Sequence, residues 1–175
     1  MDTFVEQIVV KRKGGKEIAI IIGVIFAALL IAAVSVLFLG AFALLIIAGA
    51  GYGAWWLITS QNIEFEYSVT NGDIDIDQIV AQRKRRRIVS VAGQKIESMQ
   101  PYKPEEYVGR TFNRTVIAAP SAAEEGLWCF TYTSKKNGHT LVIFQPEERV
   151  LNSLKSGLTK LVQLDMNRKL HKQAQ

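Results

Sequence analysis

From Ile18 to Ile63 the chain contains no Asp, Glu, Lys, Arg or His. A soluble element interleaves charge every few positions on its solvent side, so a run of this kind is written for lipid. Gly40 divides it into Ile18 to Leu39 and Ala41 to Ile58. At ~1.5 Å per residue each part matches the ~30 Å hydrocarbon core, whereas one helix over the whole run would be about twice that length. The pattern predicts a two-helix transmembrane hairpin over residues 18–58, turning near Gly40. Tyr52, Trp55 and Trp56 fall in the last turns of the second span, where amphipathic rings suit the headgroup zone, and are the predicted interface anchors. Gly49 and Gly53, like Gly23 and Ala27, have the small-xxx-small spacing that lets helix backbones approach, either within the hairpin or at a homo-oligomer face.

Residues 1–17 form a cytosolic lead. Thr3-Phe4-Val5-Glu6 has capping-box spacing, and Phe4, Val5, Ile8 and Val9 share one helical face, which predicts a short interfacial helix, with an unstructured terminus as the alternative. Lys11, Arg12, Lys13 and Lys16 precede the first span. Positive flanks favour the cytoplasm, so the expectation is a cell-membrane protein with two spans and both termini cytoplasmic. The apolar run is too long for the core of a cleaved signal.

Beyond Gln61 the pattern becomes that of a mixed soluble domain, residues 62–167, followed by a tail, 168–175. Ile63, Phe65, Tyr67 and Val69 alternate with polar residues, Asn71-Gly72 marks a turn, and Ile74 and Ile76 resume the alternation. A third strand is predicted around Ile88 to Val91, and Gln94 to Arg110, with Pro101 and Pro104, reads as irregular with one short helix. Arg114 to Ala118 is a weaker strand. Leu127 to Thr133 and Thr140 to Phe144 flank Asn137-Gly138 as a hairpin. Pro146 opens a long amphipathic helix in which Leu151, Leu154, Leu158, Leu161 and Val162 cover a sheet face.

This succession of six or seven strands in hairpins followed by a helix resembles the pleckstrin-homology-like (PH-like) fold. Phe65 to Asp73 leading into the strand and the basic run Arg83 to Arg87 are the residues that carry the likeness. The whole chain resembles an uncharacterised bacterial membrane-protein family with a helical hairpin ahead of such a domain. The resemblance implies an α+β chain: a transmembrane helical hairpin, then an antiparallel PH-like sheet closed by a C-terminal helix.

Charge narrows the chemistry. The net charge is +5, most of it beyond Gln61, where 17 basic residues stand against 13 acidic ones, a balance that fits a domain beside anionic headgroups. Arg83, Lys84, Arg85, Arg86 and Arg87 are the candidate anionic-surface residues, or else a solvated hairpin edge paired across strands with Asp73, Asp75 and Asp77. Those aspartates lack the glycine and distal glutamate of a calcium loop. His139, His171 and the single Cys129 have no metal-ligand spacing, and no nucleophile or phosphate-cradling motif occurs, so neither metal nor cofactor is expected. Trp128, Phe130 and Tyr132 share a strand face that reads as core, with a partner groove as the alternative. The leading expectation is a membrane-anchored, non-catalytic module whose cytosolic domain binds a protein partner or the anionic membrane surface. An enzyme acting on a lipid or membrane-bound substrate is the alternative, and requires Asp73, Glu105 or Glu106 to converge in a pocket. The basic run is free of aromatics, which argues against nucleic acid.

Overall fold

The computed structural model describes residues 3–123 and 125–173. The chain divides into two compact units, one built from residues 1–11, 64–79 and 85–175, the other from 12–63 and 80–84.

The larger unit contains two four-stranded sheets. In the first, β1 (Phe4–Val10), β2 (Ile63–Thr70), β3 (Asp73–Val80) and β4 (Lys84–Val91) lie in chain order. The N-terminal segment is therefore a strand and not an interfacial helix. It pairs antiparallel with β2 from Phe4↔Thr70 to Val10↔Glu64. Its hydrophobic pattern satisfies both periods. Gln7 and Val9 are buried while Phe4, Glu6, Ile8 and Val10 are exposed, the two-residue period of a strand. Four β-branched residues beside the open edge of β2 decide the outcome, since pairing there satisfies the backbone along its whole length. Thr3 and Asn71 close the end of the ladder, the Thr3 N–H donating to Asn71 Oδ1 at 3.1 Å and the Asn71 N–H to the Thr3 carbonyl at 3.0 Å.

The second sheet has the order β5-β7-β8-β6, formed by β5 (Ile96–Pro101), β6 (Arg114–Ala118), β7 (Trp128–Ser134) and β8 (Gly138–Phe144). This differs from one closed antiparallel sheet in two respects. The strands are split between two sheets, and β6 runs parallel to β8. β5 replaces the expected irregular stretch. Its register shifts between Ile96 and Ser98, and this bulge breaks the alternation that would have marked a strand. Pro101 ends it on the sheet edge, where a missing N–H is tolerated.

The sheets meet around Tyr67, which is fully buried and packs edge-on against Phe144 at 5.7 Å; Phe130 packs against Phe144 in the same way at 5.3 Å. The Tyr67 hydroxyl donates to the Ala118 carbonyl and accepts from the Gln145 N–H. Trp128 is half-buried while Phe130 and Tyr132 are buried, so that stripe is core. Cys129, Leu127, Leu141 and Ile143 form a second cluster, packed against Tyr102, Tyr107 and Phe112.

Two helices follow instead of one: α1 (Glu148–Gly157) and α2 (Lys160–Gln173), separated at Leu158, whose backbone is extended. The break resets the helical phase. Leu154, Leu158, Val162 and Met166 are buried, whereas Leu161 and Leu164 are exposed. Residues 168–173 of the expected tail belong to α2; the side chain of His171 and the last two residues lie outside the described part. Gln7 of β1 ties the start of α1 to the sheet: its Nε2 donates to the Gln145 carbonyl at 3.0 Å and its Oε1 accepts the Glu147 N–H at 2.7 Å.

In the smaller unit, helix α3 (Gly15–Leu39), a 3₁₀ turn (Gly40–Phe42) and helix α4 (Ala43–Thr59) form an apolar stretch long enough to cross a membrane. Gly40 takes φ +49°, a conformation that a side chain would strain, and ends α3. α3 and α4 contact one another, but not through the glycines expected to allow it: a Cβ at Gly23, Gly49, Gly51 or Gly53 would meet nothing within 4 Å. Small size there serves no contact among the described residues.

Glycine is needed elsewhere. Gly72 in the β2–β3 turn, Gly93 and Gly157 meet backbone to backbone, so that a Cβ on any of them would overlap main-chain atoms of another. Gly93→Ala and Gly157→Ala should each cost about 1–3 kcal/mol, the range for overpacking. Thermal melts of the detergent-solubilised chain measure this, with Gly49→Ala expected to leave the midpoint unchanged.

Candidate functional site

The basic run lies on β4 and the turn before it. Ala81 and Gln82 both take positive φ, +54° and +55°, the geometry of a tight hairpin that matches strand twist. The five side chains then separate. Arg83 belongs to the apolar unit: its guanidinium lies 5.4 Å from the centre of the Trp55 ring and donates to Thr59 Oγ1 at 2.6 Å. Tyr52 packs beside Trp55 at 5.8 Å, and all three predicted anchors, Tyr52, Trp55 and Trp56, are exposed within that unit.

Arg85 and Arg87 are committed to carboxylates. Arg85 pairs with Glu66 and, at 2.7 Å, with Asp77; Arg87 reaches Asp77 at 2.9 Å and Asp75 at 2.9 Å. Glu66 and Asp77 are buried, so the pairs offset the cost of placing charge there. The hydrogen bonds that the Arg87 guanidinium donates to Asp77 raise its pKa further. Asp73 takes no part, accepting instead the Gly93 N–H at 3.0 Å. Glu106 accepts from Gln100 Nε2 at 2.9 Å and Glu105 is exposed. Asp73 and Glu106 thus hold separate positions.

Arg86 follows a different course. With Arg87, Arg114, Lys136, Ser134 and Asn137 it lines a cleft of about 540 Å³ between β4 and the β6 and β7–β8 ends of the second sheet. Arg114 and Lys136 carried little signal in the sequence, because the first is a lone base and the second belongs only to the short pair Lys135-Lys136. Arg114 could have been suspected from parity: Val116 and Ala118, two and four residues on, are buried, so the first residue of β6 shares the inward face.

On the opposite side of the second sheet, Ser98, Gln100, Tyr107, Phe112, His139 and Lys169 line a recess of about 460 Å³. The Tyr107 hydroxyl lies 2.9 Å from Cys129 Sγ and accepts from Gln100 Nε2 at 2.8 Å. His139 stacks on Phe112 at 5.0 Å and stands 3.5 Å from Glu97. Burial pushes the Cys129 thiol up to about 11 and the Tyr67 hydroxyl up to about 12, and also raises Tyr107. Cys129 is therefore a protonated packing group at neutral pH.

Two outcomes follow from these environments. Asp77→Asn should lower stability by about 1–3 kcal/mol through loss of charge-assisted hydrogen bonds, and should increase binding of the chain to anionic vesicles by unmasking Arg85 and Arg87; co-flotation reads the second effect. For Cys129 and Tyr67 the unfolded groups ionise first, from their ordinary values of 9.0 and 10.0. Stability should therefore be level below about pH 9 and decline toward about pH 12. Denaturant midpoints against pH test this, and Cys129→Ala should make the early part of the decline shallower.

A search of the curated proteins and of the solved structures finds no significant match. The sequence does match the family described as bacterial PH-like domain (DUF6106), over residues 1–163. The match takes in β1 and the apolar helices as well as both sheets. On that coverage, the chain is a member of the bacterial PH-like domain family DUF6106.

Proposed function

We propose that this chain is a non-catalytic binding module held at the cell membrane by a two-span helical hairpin, with both flanks of the hairpin and the PH-like domain on the cytoplasmic side. The observation that carries this is the pairing of β1 with β2. Val10 lies opposite Glu64, so the chain leaves the domain for the apolar segment and returns to it at neighbouring ends of one sheet. A segment that departs and returns on one side crosses a bilayer an even number of times. The 25 residues of α3 and 17 of α4 correspond to about 38 and 26 Å at 1.5 Å per residue, which brackets the ~30 Å core. The helix-terminating Gly40 and the contact between α3 and α4 support a reversal there. Lys11, Arg12, Lys13 and Lys16 favour the cytoplasm for both flanks.

A binding role fits a domain in which Asp73 and Glu106 are occupied by separate structural hydrogen bonds. The charge left over after internal pairing, on Lys84, Arg86, Arg114 and Lys136, provides an electropositive surface suited to acidic ligands. Topology is read with a membrane-impermeant maleimide on Lys13→Cys, Gln61→Cys and Phe42→Cys, each in a Cys129→Ala background. The first two should react from the cytoplasmic side and the third from the other. Labelling of Lys13→Cys and Gln61→Cys from opposite faces would refute the hairpin.

A further inference from the structure

We propose that the cleft between β4 and the β6 and β7–β8 ends of the second sheet is a binding site for a phosphate-bearing group. It deepens the binding-module reading by naming a ligand class, and rests on that reading but not on the membrane topology.

Four cations, Arg86, Arg87, Arg114 and Lys136, line the cleft together with Ser134 and Asn137, and among the described residues no carboxylate does. Only Arg87 is neutralised, by Asp75 and Asp77. Arg86, Arg114 and Lys136 have no carboxylate partner among the described residues. This contrasts with Arg85 and Arg87 on the same strand, for which the fold supplies three acidic groups. Gathering unpaired like charges in one recess raises its positive potential and favours the entry of an anion.

Placement separates Arg114 from a solvated face, while Arg86 and Lys136 are exposed beside it. Arg114 sits on the inward face of β6, where Val116 and Ala118 are buried further along, and it is itself half-buried at the mouth of the space between the sheets. Lys136 is carried by the β7–β8 turn and Arg86 by β4, so the three cations come from three separate parts of the chain. Guanidinium groups are planar forks matched to two oxygens of a phosphate, and an ammonium adds a third charge-assisted contact. A phosphate or pyrophosphate has the charge and the several oxygens to use them all, whereas a carboxylate offers two oxygens and one charge. The volume, about 540 Å³, lies within the range of small-ligand sites. Single-stranded nucleic acid is disfavoured because the nearby aromatic, Tyr132, is buried in the core and offers no stacking platform.

The shared chemistry has two sources, a lipid headgroup or a soluble phosphate compound. The full chain in phosphatidylcholine nanodiscs is titrated with pyrophosphate by calorimetry. Saturable binding is expected, weakened about tenfold in Arg114→Gln and again in Lys136→Gln, the scale of one charge-assisted hydrogen bond each. Arg149→Gln, a base paired with Glu147 outside the cleft, should bind as the parent does. Lys136 is an exposed turn residue, so its variant keeps the test readable if Arg114→Gln unfolds. Repeating the titration in nanodiscs of equal parts phosphatidic acid and phosphatidylcholine separates the sources: loss of pyrophosphate binding by competition identifies a headgroup ligand, and unchanged binding identifies a soluble one. No binding in phosphatidylcholine nanodiscs, or equal binding in Lys136→Gln and the parent, overturns the proposal. That failure would leave the maleimide result standing, and opposite-face labelling in the maleimide experiment would leave this titration interpretable, since it needs only the folded chain.

Discussion

The backbone ladder between β1 and β2 is the constraint on which the rest of this molecule depends. It joins residues on either side of the apolar segment, seven in β1, and it forms only if both ends of that segment come to the same place. Without β1, the β2 edge would expose a row of unpaired N–H and C=O groups, and Gln7 would not hold the start of α1. The ladder thus covers the edge of the first sheet and fixes where the apolar segment leaves and rejoins it. Its long sequence separation makes it costly to form in loop entropy, a cost that the contact between α3 and α4 helps to offset by compacting the intervening chain.

A second theme is the sorting of charge. A run of five bases looks like one electrostatic feature, yet the structure divides it by where each side chain can reach. Arg83 meets Trp55 and Thr59 in the apolar unit. Arg85 and Arg87 meet the buried carboxylates of β2 and β3. Arg86 turns to the cleft that Arg114 and Lys136 complete. Charge that is buried against carboxylates contributes to the architecture of the first sheet, and charge without a partner is available to a ligand. The distinction matters for recognition of an anion, since an Arg held by two carboxylates has little attraction left for another negative group.

The places where the pattern of residues misled share a cause. Phe4, Val5, Ile8 and Val9 satisfy both a helix and a strand, and only the vacant edge of β2 chooses between them. Ile96 to Pro101 is a strand whose bulge removed its alternation. Leu161 fits the face of one long helix and is exposed because the backbone breaks at Leu158 and restarts in a new phase. In each case the local preference was close to balanced and a distant element tipped it.

What the sequence by itself determined was the division between an uncharged apolar stretch and a mixed polar domain, the turns at Asn71-Gly72 and Asn137-Gly138, the strands of strong alternation and the PH-like class of the domain. These rest on transfer free energy and on backbone preferences, which act residue by residue. What only the tertiary structure decided was the pairing of β1 with β2, the parallel lie of β6 against β8, which bases of the run pair with the aspartates, and the meeting of Arg86, Arg114 and Lys136. Those depend on contacts between residues far apart in the chain, and neither composition nor periodicity carries a record of which distant residue will be the neighbour.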